Sequence, residues 1–308
     1  MTPAAWLALL AAVAAAFAAL AVVRRRAAAT PAGREFFRHP AATAALALLF
    51  SFLIVALGAR LVAPYGPAAQ LDIVGLQSRP PSWTHPLGTD VYSRDTWSRL
   101  VYGARISLSV GALAMLVAVT VGAVVGAVAG YVRRWVDPLL MRAVDVGLAL
   151  PRMFLLLMIA ALWEGLPLAW LVALIGLTGW FGTSRLVRAE VLSLRERDFV
   201  TAARALGARP ARVIFFHVLP NAAAPIIVSA ALGIGNVLLL EAGLSFLGVG
   251  VRPPLPSWGN MIADGWRQAA VAPWATLFPG LAIALVVMAL NAVADALRDA
   301  LDPRKEAT

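Results

Sequence analysis

Residues 106–130 read ISLSVGALAMLVAVTVGAVVGAVAG, a run without one charged side chain. An apolar stretch of about 20 residues is what a helix needs to cross a hydrocarbon core of roughly 30 Å. A backbone facing lipid must satisfy its own hydrogen bonds, and alternation of the barrel-strand type is missing, so the run reads as a transmembrane helix. Working outward, comparable runs fall near 4–23, 42–63, 138–163, 166–183, 222–241 and 274–296. The chain is therefore expected to be all-α and polytopic, a helical bundle of six spans preceded by one extra N-terminal span.

Composition agrees. The chain is 61% apolar and 14% charged, whereas a soluble domain carries roughly 25% charged residues. With no cysteine, disulfides and thiolate metal sites are excluded. His39, His85 and His217 lie far apart and form no ligand-spaced set, so no metal site is expected. A formal charge of +10 could suggest nucleic acid. The positive residues sit instead in short loops between apolar runs, where they orient helices, and no nucleic-acid partner is expected.

The loops set the topology. Segments 24–38, 133–142, 185–212 and 298–305 hold eighteen of the 26 basic residues, and the positive-inside rule places them in the cytoplasm. The N-terminus is then outside and the C-terminus cytoplasmic. Arg24, Arg25 and Arg26 follow the first apolar run rather than precede it, unlike the charge of a cleavable signal peptide. The expected order is an extra span (1–23), a basic cytoplasmic linker (24–39), a span with its external segment (40–105), a core (106–304) and a tail (305–308).

The core carries a long cytoplasmic loop, 185–220. Within it, Asp198-Phe-Val-Thr-Ala-Ala-Arg-Ala-Leu-Gly207 reads as a short helix. Asp198 suits the N-cap, and the small Ala202 and Ala203 permit close approach of another surface. Gly207 is a helix stop, where a left-handed backbone costs little. Pro210 opens a second short helix to about Val218, and Leu219-Pro220 is expected to break it and return the chain to the membrane. DNA binding is a poor fit for helices tethered at both ends to membrane spans.

Thr201-Ala202-Ala203, three residues, Gly207, then Leu219-Pro220 after eleven more resembles the cytoplasmic signature of permease subunits of binding-protein-dependent ABC importers. His85-Pro-Leu-Gly-Thr-Asp90, Arg94-Asp95, Ser98-Arg99 and Tyr102-Gly-Ala-Arg105 are similar to the external segment of the dipeptide/oligopeptide/nickel branch. Leu244-Ser-Phe-Leu-Gly248, Pro256-Ser-Trp-Gly-Asn260, Leu297-Arg-Asp299 and Leu301-Asp-Pro-Arg304 match that branch too, and the whole looks like its C-type permease. The resemblance implies a type I importer permease fold in the inner (plasma) membrane. It also implies a second homologous permease in a heterodimer, two ATPase subunits holding ATP and Mg, and an extracytoplasmic substrate-binding protein. The short helix would dock on an ATPase through Asp198, Thr201, Ala202, Ala203, Arg204, Gly207, Leu219 and Pro220. The family motif often begins with Glu where Thr201 stands, so a contact from that Glu is not carried over; Glu196, Asp198 and Arg204 are the alternatives.

Energy has to come from elsewhere. A P-loop needs a lysine in a Gly-rich turn, and the sole lysine is Lys305. No catalytic cluster stands out, and the chain is expected to bind no cofactor and to be no enzyme. An ion-coupled secondary transporter would bury ionisable groups near the midplane. The candidates are Asp145 and Arg152, seven residues apart and expected to pair on one helical face, and Glu241, expected to snorkel or to cap a loop. Gly122 and Gly126 form a small-xxx-small pair for close helix packing, against a partner left open. Trp83, Trp97, Trp258 and Trp266 suit interfacial anchors or contact with a binding protein. The implied substrate is a di- or oligopeptide, with a nickel chelate or other small solute as the alternative.

Overall fold

The computed structural model describes residues 3–163 and 165–301. The expected tail 305–308 and the end of the Leu301-Asp-Pro-Arg304 motif, with Lys305, lie outside the described residues. The described residues are mostly helical and contain no β-strand, only a single bridge between Thr89 and Asp95.

In chain order the helices are α1 (Pro3–Ala27), α2 (Pro31–Arg38), α3 (Pro40–Leu57), the single turn α4 (Ala59–Val62) and the long α5 (Thr96–Val132). Then come α6 (Val136–Ala149), α7 (Arg152–Leu162), α8 (Leu168–Leu177), α9 (Trp180–Leu194) and α10 (Asp198–Ala205). A continuous helical run follows: α11 (Pro210–Arg212), a π-helical turn (Val213–Val218) and α12 (Leu219–Asn221). The last three are α13 (Ala223–Phe246), α14 (Trp258–Trp266) and α15 (Trp274–Ala300). Five helices (α1, α3, α5, α13 and α15) are long and apolar enough to cross a membrane, and the bent pairs α6/α7 and α8/α9 raise the number to seven if each is one span. The chain divides into two compact units, one built from residues up to Gly111 and from Ile234 on, the other from Ala112–Gly233.

In the first unit α1 packs along α3, while α15 packs against α2, α3 and α14. Its core gathers on Trp258, fully buried among Leu238, Met261, Ile283 and Val286, with the Phe52 ring edge-on at 5.7 Å. The Pro256-Ser-Trp-Gly-Asn260 string explains itself here. Asn260 N–H donates to Ser257 Oγ (3.2 Å) and Ser257 N–H to Asn260 Oδ1 (3.0 Å), a capping box that starts α14 and seats the tryptophan.

The segment before α5 is held by buried charge. Asp90 accepts from the N–H groups of Tyr92 and Arg94 (2.9 Å each), from Arg94 Nε (2.7 Å) and from Arg99 Nη1 (2.6 Å). Both arginines continue to Asp264 on α14, at 2.7 and 3.1 Å. Gly88 takes φ +73°, and a Cβ there would lie 2.6 Å from Arg79 O, so the Leu-Gly-Thr-Asp turn admits no side chain at that position.

Glu241 departs from expectation. It is fully buried, with Oε1 accepting from Ser245 Oγ at 2.6 Å and Oε2 from Ser107 Oγ at 3.2 Å. Those hydroxyls accept in turn from the N–H groups of Val251 (2.9 Å) and Trp258 (3.2 Å). The carboxylate does not snorkel; it orders the two serines that cap the connection from α13 to α14, since a buried charge needs hydrogen bonds.

In the second unit the glycine spacing on α5 finds its partner in α9. A Cβ on Gly122 would lie 2.7 Å from Thr183 Cβ, on Gly126 2.4 Å from Ser184 O, and on Gly130 2.9 Å from Arg188 O. Small residues at this period let the two backbones touch. The 138–163 run is broken: α6 and α7 meet at 80° across Leu150-Pro151. Leu150 is extended (ψ 129°), as the residue before a proline prefers.

Candidate functional site

The loop between α9 and α13 is built outward from a small apolar core. Val200 on α10 is fully buried with Val187 and Val191 of α9, Ala127 of α5, and Val213, Ile214 and Val218 of the π turn. Ala203, one turn on, is half-buried against the same cluster. These contacts hold the helix by one face, at the i, i+3 spacing of a helical stripe.

The opposite side is bare. Asp198, Phe199, Thr201, Ala202, Ala205 and Leu206 are exposed, Leu206 at 88%. Phe199, Ala202 and Leu206 follow an i, i+3, i+7 stripe that nothing in this chain covers. Phe215 and Phe216 on the π turn are exposed as well.

The ends of α10 are fixed by backbone chemistry. The N-cap is Arg197 (φ −75°, ψ 151°), whose carbonyl accepts from Val200 N–H at 3.0 Å and Thr201 N–H at 3.1 Å. Asp198 is thus the first helical residue rather than the cap, where its charge faces the positive end of the helix dipole. The expected stop at Gly207 is where the chain places it, with φ +79°. Gly207 N–H bonds Arg204 O (2.9 Å) and Ala208 N–H bonds Ala203 O (3.1 Å), the paired bonds of a Schellman ending.

Arg204 turns inward. Its Nε donates to Tyr131 Oη at 3.2 Å and its guanidinium lies 4.9 Å from the centre of the Tyr131 ring. Arg195 Nη1 donates to the Tyr131 carbonyl at 2.9 Å. Tyr131, at the end of α5, therefore receives both edges of the loop. Glu196 and Asp198 stay exposed and Thr201 Oγ1 donates back to Arg197 O at 3.4 Å.

Leu219-Pro220 does not break the second helix. The π turn widens the run before the proline, Leu219 N–H reaching back to Ile214 O, and the helix continues to Asn221. Pro220 has no N–H to place, and the widened turn eases the clash its ring would have with the preceding turn. The break comes at Ala222, whose N–H bonds Val218 O (3.0 Å) and Leu219 O (3.1 Å) before α13 begins.

Asp145 and Arg152 do not pair. Asp145 Oδ1 takes Arg185 Nη2 of α9, while Arg152 Nη2 donates to Ile175 O at 2.6 Å and Nε to Thr178 Oγ1 at 3.3 Å. The 80° bend at Pro151 lies between them and cancels the common helical face. A second bridge, Arg188 to Asp137 at 2.5 and 2.6 Å, joins α9 to α6 beside the first. Tyr131, Phe199, Leu206 and the α6 partners were not picked out from sequence. The Phe199/Ala202/Leu206 spacing was the one available signal.

Several apolar spans, glycine-packed helices and a short helix anchored on one face and bare on the other define a multi-pass membrane protein with a docking loop. Residues 122–307 match the family described as binding-protein-dependent transport system inner membrane component, and residues 31–81 match the N-terminal TM domain of oligopeptide transport permease C. The chain belongs to the first of these families and is a transport subunit of the inner membrane. It is 42% identical to a dipeptide transport system permease protein of Alkalihalophilus pseudofirmus, over 88% of each chain. It is 43% identical to a dipeptide transport system permease protein of Escherichia coli strain K12, over 87% of this chain and 91% of that one.

Proposed function

We propose that this chain is one of two permease subunits of an ATP-driven peptide importer, and that α10 seats on a separate ATPase subunit. The exposed stripe Phe199, Ala202 and Leu206 carries this reading, because a surface helix gains nothing from holding leucine and phenylalanine in water. The names of the relatives support peptides as cargo. The clustering of basic residues at 24–38, 133–142, 185–212 and 298–305 supports a cytoplasmic α10, an outer N-terminus and a cytoplasmic C-terminus. ATP and Mg would sit on the ATPase subunits, and a second permease would complete the pathway.

On the opposite side, residues before α5 and around α14 line a cleft of about 970 Å³ that includes Tyr92, Phe246, Arg252, Trp266 and Arg267. Its mixed aromatic and basic lining fits contact with a substrate-binding protein.

The test is a complex of the full chain with its partner subunits in vesicles, measuring ATP hydrolysis and uptake of labelled di- and oligopeptides. Ala202→Arg and Leu206→Asp, both exposed, are expected to abolish substrate-stimulated hydrolysis and uptake at unchanged membrane levels. Ala203→Arg is less informative because Ala203 also packs inward. Normal uptake by the first two variants overturns the docking role, and uptake of nickel chelate without peptide overturns the cargo.

A further inference from the structure

We propose that the groove between α1, α2 and α3 is a binding site for one anionic phospholipid. The groove encloses about 380 Å³, with Phe17, Leu20 and Phe37 on its apolar walls and Arg24 and Arg38 among its lining residues. Arg24 lies in the last turn of α1, and thus at headgroup level for a helix that spans the membrane. The guanidinium geometry suits a phosphate, which it can grip with two parallel N–H bonds.

The groove is shaped before any ligand arrives. Thr30 caps α2, its Oγ1 accepting from Gly33 N–H at 3.1 Å and donating to Ala27 O at 3.0 Å. Arg34 Nη1 donates to Ala28 O at 3.1 Å. A Cβ on Gly33 would lie 2.0 Å from Ala27 O, so the turn from α1 to α2 closes only with glycine. Phe36 is buried against Ala42 and Ala296, which fixes the rotation of α2.

Charge names the ligand class. Arg24, Arg25, Arg26, Arg34 and Arg38 face one carboxylate on the same segment, Glu35, which bonds Arg38 Nη1 at 2.8 Å. Asp299 of α15 lies 3.8 Å from His39. The local excess is positive, and the walls below it are aliphatic and aromatic, so the complement is a phosphate carrying acyl chains. A soluble anion would leave those walls unmatched.

The experiment uses the full chain in neutral detergent, titrated with phosphatidylglycerol, with phosphatidylcholine of the same acyl length, or with inorganic phosphate. Bound lipid is read by native mass spectrometry and by the shift in melting temperature. Saturable retention of one phosphatidylglycerol is expected, falling roughly tenfold in affinity in Arg24→Gln/Arg38→Gln. Arg25→Gln/Arg26→Gln removes the same charge away from the groove lining and is expected to retain lipid as the unaltered chain does. Ala44→Trp fills the groove without touching charge and should also lose the lipid, which keeps the test open if the first double variant folds poorly. Equal losses in both arginine pairs would reduce the effect to diffuse charge and overturn the site. Equal binding of phosphatidylcholine, or an equal shift with inorganic phosphate, overturns it too.

Discussion

Arg204 and Tyr131 are joined twice, by a hydrogen bond from Nε to Oη at 3.2 Å and by the guanidinium lying 4.9 Å above the ring. Through this pair the exposed α10 is tied to the end of α5. Tyr131→Phe keeps the ring and loses the hydroxyl, while Tyr131→Ala loses both. The expected order of melting temperatures in detergent is unaltered, then Phe, then Ala. A double-mutant cycle with Arg204→Met should give a coupling of about 0.5–2 kcal/mol; no coupling would show the contact to be incidental.

Gly126 has no room for a side chain, a Cβ there falling 2.4 Å from Ser184 O. Gly126→Ala should push α5 from α9 and destabilise by about 1–3 kcal/mol. Gly182→Ala, where nothing lies within 4 Å, is the matched control. Monodispersity after heating, read by size-exclusion chromatography, should separate the two.

At Gly207 the cost is conformational alone, since φ is +79° and no atom lies within 4 Å of a built Cβ. Gly207→Ala should cost about 1–2 kcal/mol in local stability, with Gly207→Asn milder and Gly207→Val worse. Hydrogen exchange of the α10 amides reports it directly. Equal protection in the Ala and Val variants would contradict a left-handed stop.

Arg152 supplies the hydrogen bonds that close the break between α8 and α9. Arg152→Met leaves Ile175 O without that donor and should destabilise by roughly 1–3 kcal/mol. Arg152→Lys, which can reach one acceptor but not make the same fork, should fall between. Thermal melting of the three proteins ranks them.

Asp72 sets an acid response in an exposed turn. The N–H groups of Gly75 and Val74 donate to its carboxylate and hold it below the usual carboxylate range, with desolvation opposing only weakly. A depressed folded value means the turn gains stability above the unfolded value and loses it as pH falls through the folded one. Limited proteolysis of residues 71–76 should therefore accelerate only in acid. Asp72→Asn retains an acceptor oxygen and should remove that dependence.

Apolar run length made the spans legible, because a bilayer imposes the same requirement on every helix that crosses it. It located the 138–163 run and flagged Pro151. It could not give Arg152 its partner, because a seven-residue spacing predicts a shared face only on a straight helix. The end of α9 was missed for a related reason. Arg185 and Arg188 look like loop residues by charge, yet Asp145 and Asp137 on α6 receive them and the helix runs on to Leu194. The α10 stop was readable at Gly207 since one residue type carries it, whereas the cap shifted from Asp198 to Arg197, a choice made by backbone direction rather than by side chain.

The π turn at Val213–Val218 has a consequence for how the gene can change. Such a turn holds one residue more than an α-helical path of equal rise. Deleting a single residue from it would regularise the helix and rotate everything downstream by about 100°. The angular phase with which α13 leaves the loop is therefore set by the residue count between 213 and 218. Substitutions there should be tolerated far more readily than a one-codon deletion.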